Sequence, residues 1–144
     1  MHIFVGADHR GFELKNKIIE YLQEKNIRVE DMGNYEYKAD DDFPDYANKV
    51  VQALEQMPED SVGIVICGSG AGVTIAANKH KGILCALGFQ PQQTQKARED
   101  DHINVLALAA DYQTFDEVKP IVDAFLDAKP RSEERFLRRL KKIE

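Results

Sequence analysis

The chain has 144 residues, of which 43% are hydrophobic and 31% charged, and its formal net charge is -6. This length suits a single domain spanning residues 1–144 with a core of its own. The negative charge argues against broad nucleic-acid binding, which needs a basic face, but leaves room for a small anion in a local basic pocket. No signal peptide is expected before Ile3-Phe4-Val5, and no apolar run approaches the length of a membrane span. We therefore expect a cytoplasmic protein with no membrane partner.

The two cysteines, Cys67 and Cys85, both lie in apolar, strand-like surroundings. Two cysteines in a chain of this size do not make a disulfide framework, so both are predicted to be free thiols in a reducing compartment. The four histidines show no metal-ligand spacing, and neither a metal nor a cofactor is predicted.

Short apolar runs alternate with longer amphipathic stretches along the chain. In order, they predict a strand over residues 2–7, a helix over 11–25, a strand over 27–32, a helix beginning at Pro44, a strand over 61–66, a helix over 73–79, a strand over 83–87, a helix over 91–99, a strand over 104–108 and helices over 115–126 and 132–143. This alternation predicts a three-layer αβα, Rossmann-like α/β domain with a five-stranded parallel sheet and a basic C-terminal helix. Because the stretch 127–131 is linker-like and contains Pro130, helix 132–143 is predicted to pack on a partner subunit.

The stretch Cys67-Gly-Ser-Gly-Ala-Gly72 lies directly between a buried strand and a helix, at the sheet edge where open α/β proteins bind ligands. Its glycines allow a ligand to approach the backbone closely, and its amides together with the helix N-terminus form an anion site. Such a loop could hold a phosphate or an oxyanion that develops during a reaction. A tight turn with no ligand remains the alternative.

Cys67 ends a strand at this edge, where the field of a helix N-terminus favours a thiolate, so a role as nucleophile or base is preferred to a structural one. For Cys85, in mid-strand, the structural role is preferred. A tyrosine-phosphatase site needs an arginine six positions after its cysteine to hold the phosphate. Here that position is Val73, which excludes such a site. A dinucleotide fingerprint would follow the first strand, which instead runs into Asp8, and a response regulator would have an aspartate in place of Cys67.

Charged residues elsewhere support two readings each. Asp8 and His9 end the first strand and are either a solvated loop or part of a site. Arg135 and Arg139 are four residues apart, so they share one helix face and could bind a phosphate, or they belong to a generic basic surface.

Taken together, these residues resemble the ribose-5-phosphate isomerase B family, which includes the galactose-6-phosphate isomerase subunits. The resemblance covers nearly the whole chain and is most specific from Cys67 to Lys79. The matching stretches are Gly6–Lys15, Asp31–Gly33, Asp42–Ala47, Cys67–Lys79, Gly82–Ile83, Asn104–Ala107 and Glu134–Arg139.

The resemblance implies a metal-independent aldose–ketose isomerase that moves a proton between C1 and C2 of a sugar phosphate. In this interpretation Cys67 is the base, because the glutamate that some members use falls on Val73, and Ser69 assists at the sugar oxygens. The family shares its active site across a homodimer or a dimer of dimers. The implied substrate-binding residues are Asp8, His9, Tyr46, Gly68, Gly70, Ala71, Gly72, Asp101, Arg135 and Arg139.

The sequence departs from the family pattern at three positions where it carries an aspartate. The ring-opening histidine falls on Asp100, its asparagine neighbour on Asp101, and a phosphate-binding arginine on Asp111. Either Asp100 or the displaced His102 would then open the sugar ring. Three hypotheses follow: a ribose-5-phosphate isomerase, an isomerase for another aldose phosphate such as a six-carbon sugar phosphate, and a non-catalytic sugar-phosphate-binding paralogue.

Overall fold

The computed structural model describes residues 1–143, which form a five-stranded, all-parallel sheet flanked by helices. The strands are β1 (His2–Ala7), β2 (Arg28–Asp31), β3 (Ser61–Cys67), β4 (Cys85–Leu87) and β5 (Val105–Ala109), and the helices are α1 (Phe12–Glu24), α2 (Phe43–Gln56), α3 (Ala71–Asn78), α4 (Pro91–Asp100), α5 (Phe115–Asp127) and α6 (Glu134–Lys141). The strand order is β2-β1-β3-β5-β4. This architecture confirms the α/β, three-layer prediction.

The sheet is central because its inner strands β1, β3 and β5 are buried on both faces. Alternate β3 residues point to opposite sides: Ile64 and Ile66 pack in the layer of α1 and α5, whereas Val65 and Cys67 pack in the layer of α2 and α3. The first layer contains Leu14, Ile18, Leu22, Val118, Ile121, Val122 and Phe125 from its helices, and the second contains Ala47, Val50, Val51, Leu54, Val73 and Ala77. Cys67 therefore leaves the sheet on the α2/α3 side.

Among the element boundaries that differ from the predictions, two have identifiable reasons. The strand predicted over 83–87 begins only at Cys85, because the N–H of Ile83 closes a turn on His80 and the N–H of Leu84 donates to the side chain of Asn104. Helix α3 begins at Ala71, two residues earlier than predicted, because Gly70 in the left-handed region (φ +73°) redirects the chain into it.

Helix α6 is the basic C-terminal helix of the prediction, although it spans fewer residues. The segment before it is attached to α4, since the N–H of Arg131 donates to the carbonyl of Glu99 at 2.8 Å. Phe136 is the one buried residue on α6, and Leu137 remains 41% exposed. Packing of this helix on a partner subunit stays a prediction.

Across residues 1–143, no helix combines the length and apolar character needed to cross a bilayer.

Candidate active site

A cavity of about 650 Å³ opens at the carboxyl edge of the sheet, where the loops after β1, β3 and β5 meet the start of α2. Adjacent strands that lead into different connections leave a crevice at this edge, which is the usual ligand site of open α/β sheets. The lining residues are Asp8, His9, Arg10, Asp41, Asp42, Phe43, Pro44, Asp45, Cys67, Gly68, Ser69, Gly72, Asp111 and Tyr112.

The glycine loop forms the floor of this cavity. Cys67 is the last residue of β3 and is 5% exposed, and Gly68, Ser69 and Gly72 line the cavity beside it. Ser69 accepts the N–H of Ala71 through its hydroxyl at 3.2 Å. The first N–H groups of α3 have no acceptor within their own helix, so they supply positive charge next to the Cys67 thiol.

Gly70 plays a different part from the other loop residues. It is buried and lies outside the cavity lining; a β carbon added there would lie 2.5 Å from Cδ1 of Leu87 and 3.2 Å from the backbone of Leu108. The absence of a side chain at Gly70 therefore lets the loop pack closely against β4 and β5. Ala71, the first residue of α3, is also outside the lining.

Asp8 is held at the end of β1 with its carboxylate facing inward. Its Oδ1 accepts the N–H groups of Arg10 at 3.0 Å and Gly11 at 3.1 Å, which ties the carboxylate to the start of α1. Burial raises the pKa of Asp8 above its usual range, although the two N–H groups and nearby His9 oppose that rise. This carboxyl group is thus protonated more readily than that of a solvated aspartate.

His9 is oriented by Asp41, which lies in the acidic loop over residues 34–42 and was not predicted as a site residue. Oδ1 of Asp41 accepts the main-chain N–H of His9 at 3.0 Å and lies 2.7 Å from Nδ1 of its ring. The other oxygen of Asp41 accepts the side-chain N–H of Asn34 at 2.7 Å. With Nδ1 directed at Asp41, Nε2 of His9 is the ring nitrogen left for a ligand.

Burial raises the pKa of Asp41, but the hydrogen bonds from His9 and Asn34 outweigh it and hold this pKa below its usual range. Tyr46, one turn into α2, lies close to the same carboxylate and outside the cavity lining. Burial raises the pKa of the Tyr46 hydroxyl, and the negative charge of Asp41 adds to the rise. Tyr46 therefore lies beside the carboxylate that orients His9 and does not itself face the cavity.

A second pair of charged residues lines the cavity near Gly68. Nη1 of Arg10, after β1, donates to Oδ2 of Asp111, after β5. Neither the position of Arg10 in the cavity nor its contact with Asp111 was anticipated.

Asp8, His9 and Asp41 also contain potential metal ligands within 4.8 Å of one another. His9 and Asp41 already form a hydrogen bond, which an ion would have to replace. The absence of a metal stays a prediction.

The predicted site residues Asp100, Asp101 and His102 lie at the opposite, amino edge of the sheet. Helix α4 runs from the carboxyl edge to the amino edge and ends at Asp100, shortly before β5 begins. There Asp100 pairs with Nε of Arg131 at 3.3 Å, and Nε2 of His102 lies 2.7 Å from the carbonyl oxygen of Arg131. One chain therefore does not bring Asp100, Asp101 and His102 to its own cavity.

Arg135 and Arg139 are exposed and stand over the ring of Phe136, with centroid distances of 4.8 and 5.7 Å. Neither side chain lines the cavity of its own chain.

The fold and this cavity define a doubly wound α/β protein with a glycine-rich loop and a cysteine at the carboxyl edge of its sheet. The sequence model of the family described as Ribose/Galactose Isomerase matches residues 3–143. The chain belongs to this family, which confirms the resemblance.

Relatives and solved structures agree with that assignment. The probable ribose-5-phosphate isomerase B of Mycoplasma pneumoniae is 43% identical over 126 residues, covering 88% of this chain and 82% of the relative. The ribose-5-phosphate isomerase B of Escherichia coli is 39% identical over 126 residues, covering 88% and 83%. The crystal structure of the Mycoplasma genitalium enzyme with bound ribulose 5-phosphate is 41% identical, covers 99% of this chain and 93% of that one, and superimposes with a TM-score of 0.94.

Proposed function

We propose that this chain is an aldose–ketose isomerase that interconverts ribose 5-phosphate and ribulose 5-phosphate with Cys67 as the base. The observation that carries the proposal is the position of Cys67, at the floor of the cavity and beside the N-terminus of α3. Relatives named ribose-5-phosphate isomerase B, one of them with bound ribulose 5-phosphate, support the choice of substrate.

In this mechanism the Cys67 thiolate removes the proton from C2 of the open-chain aldose, and the C1 carbonyl becomes an enediolate oxygen. The hydroxyl proton on O2 moves to O1, and the thiol returns its proton to C1, which leaves the ketose carbonyl at C2. The N–H groups at the start of α3 stabilise the negative charge of the enediolate, and Ser69 assists at the sugar oxygens. No proton is gained or lost overall.

His9 is assigned to the phosphate of the sugar, and Asp8 to its hydroxyl groups. Because Nδ1 of His9 lies 2.7 Å from Asp41, Nε2 is the ring nitrogen that remains to contact the phosphate.

A second copy of the chain is needed to complete the proposed site. The cavity lining holds five aspartates against Arg10 and His9, which is unfavourable for a phosphate dianion. Helix α6 and the residue that follows it expose Arg135, Arg138, Arg139, Lys141 and Lys142, so a partner could supply the missing positive charge. We propose a homodimer or dimer of dimers in which the partner's Arg135 and Arg139 bind the phosphate and the partner's Asp100 or His102 opens the ring.

A six-carbon aldose phosphate is the second candidate substrate, because the description of the matching family names galactose beside ribose. The acidic residues Asp100 and Asp111 at positions expected to be basic or neutral also fit a change of substrate. A non-catalytic role is less favoured, since Cys67, Ser69, Asp8 and His9 are all present. We place the activity in the cytoplasm because both cysteines are free.

The test is a coupled assay of ketose formation from ribose 5-phosphate with wild type, Cys67→Ala and the matched control Cys85→Ala. We expect Cys67→Ala to lower kcat by about a hundredfold to ten-thousandfold, as loss of a general base does, and Cys85→Ala to retain most of the wild-type kcat. No product at high wild-type concentration would refute the ribose assignment, and six-carbon aldose phosphates would then separate a different isomerase from a binding protein.

A further inference from the structure

Arg10 and Asp111 form an ion pair over the glycine loop. A β carbon added to Gly68 would lie 2.6 Å from Cδ of Arg10 and 2.6 Å from Oδ2 of Asp111, so both side chains reach contact distance from this residue. Gly68 follows Cys67 directly. The pair therefore occupies one wall of the cavity next to the proposed base.

The backbones of both residues are anchored, whereas their side chains are partly free. The N–H of Arg10 donates to Asp8, and the N–H of Asp111 donates to the carbonyl of Gly68 at 3.0 Å. The side chain of Arg10 is 59% exposed and that of Asp111 is 37% exposed. The guanidinium can thus exchange one acceptor for another without any movement of the main chain.

Among residues 1–143, Arg10 is the one lysine or arginine that lines the cavity of its own chain. Its guanidinium has five N–H donors in a planar fork, which fits two oxygens of a phosphate better than a single carboxylate oxygen. An exposed ion pair such as Arg10–Asp111 contributes little to stability, so its replacement by a ligand is inexpensive.

We infer that Arg10 binds the phosphate of the substrate, and that Asp111 is an internal counter-ion which the phosphate displaces from it. The inference rests on the proposed function for the identity of the ligand. Asp111 then sets the affinity for phosphorylated ligands: it competes for Arg10 and repels the incoming dianion. Both effects predict that removing the charge of Asp111 tightens phosphate binding. If Asp111 merely positioned Arg10, the same substitution would weaken phosphate binding.

The experiment measures binding of inorganic phosphate by calorimetry, and KM and kcat for ribose 5-phosphate, in wild type, Asp111→Asn and Arg10→Gln. For Asp111→Asn we expect the phosphate Kd and the KM to fall about threefold to tenfold, and for Arg10→Gln to rise on the order of tenfold. Because the phosphate is bound equally in the ground and transition states, kcat should change less than about twofold.

Asp60→Asn is the matched control. Asp60 pairs with the N-terminal amine at 2.6 Å and lies just before β3, at the amino edge, so it undergoes the same change of charge away from the cavity. We expect both constants to stay at their wild-type values, and circular dichroism to show all variants folded.

An unchanged or weakened affinity in Asp111→Asn, or an unchanged affinity in Arg10→Gln, would overturn the inference. A wild type that binds no phosphate, with none gained in Asp111→Asn, would overturn it as well. If phosphate binding responds as expected while ribose 5-phosphate is not isomerised, the proposed function fails and the role of the pair stands. If ribose 5-phosphate is isomerised normally while phosphate binding does not respond to the substitutions, the role of the Arg10–Asp111 pair fails and the proposed function stands.

Discussion

Replacing Asp41 with asparagine tests the hydrogen bonds that orient His9. The asparagine carbonyl can still accept from His9, but its NH₂ group would face the NH₂ of Asn34, where the second carboxylate oxygen now accepts at 2.7 Å. Asn34 cannot turn its amide over without a further loss, because its oxygen accepts the N–H of Glu36 at 2.9 Å. At least one hydrogen bond is therefore lost whichever rotamer the variant adopts.

The expected cost follows from the burial of the site. The Asp41 side chain is 5% exposed, and an unpaired buried donor costs about 1–3 kcal/mol. Exchange of a charged for a neutral acceptor at His9 weakens two more hydrogen bonds. We expect Asp41→Asn to lower the free energy of unfolding by roughly 2–3 kcal/mol at pH 7.

The pH dependence has a definite sign. Because hydrogen bonds hold the pKa of Asp41 below its usual range, its carboxylate stabilises the folded chain fully above the unfolded pKa of about 4 and loses this effect as the pH falls through the lower folded pKa. The difference between wild type and Asp41→Asn should thus be largest above about pH 4 and shrink below it.

Urea unfolding monitored by circular dichroism from pH 3 to pH 8 measures this difference. Asp40→Asn is the matched control, since Asp40 is the exposed neighbour of Asp41 and should behave as wild type within about 0.5 kcal/mol. Equal stability of Asp41→Asn and wild type at pH 7, or a difference that persists undiminished at pH 3, would refute the reasoning.

Three other substitutions or reactions test different parts of the structure. Gly70→Ala should destabilise the chain by about 2–4 kcal/mol in thermal or urea unfolding, because alanine at φ +73° is strained and its β carbon meets Leu87 at 2.5 Å; a neutral effect would mean that the loop rearranges freely. Burial raises the pKa of the Cys85 thiol to about 12, so mass spectrometry should find it unmodified after native protein is treated with iodoacetamide at pH 8, and labelled only after denaturation. Thr114→Ala removes the capping box with Glu117 at the start of α5 and should cost about 1 kcal/mol, with Thr114→Ser restoring most of it.

The centre of the sheet could be predicted from the sequence because β1, β3 and β5 are short apolar runs whose spacing differs from that of the helices. The run Val62–Ile66, continuous in apolar residues, marks β3 as a central strand, and the structure places it between β1 and β5. Ile83 and Leu84 were misassigned for the same reason: they are apolar because they are wholly or partly buried, but their N–H groups bond to a turn and a side chain instead of a strand. Hydrophobic pattern reports burial, and hydrogen-bond partners have to be found in three dimensions.

Site residues that end a strand were within reach of sequence reasoning, since the carboxyl edge of a parallel sheet is a known location. Asp8, His9, Cys67 and Ser69 were predicted to lie at this edge, and all four line the cavity, while their roles stay predictions. The orienting role of Asp41 and the cavity position of Arg10 were missed because their partners lie 32 and 101 residues away in the chain. The one signal for Asp41 was the loop over residues 34–42, where four acidic residues accompany two tyrosines.

The separation of Cys67 from Arg135 and Arg139, which do not line the cavity of their own chain, has a genetic consequence if partners share the site. A chain with Cys67→Ala and a chain with Arg135→Ala and Arg139→Ala would each be inactive alone, yet a mixed dimer would contain one intact site beside one doubly damaged site. Random association of equal amounts makes half of the dimers mixed, so about one quarter of the wild-type sites would be restored. Two defective alleles could then complement each other within one cell, whereas a single allele that carries all three substitutions could never be rescued by either.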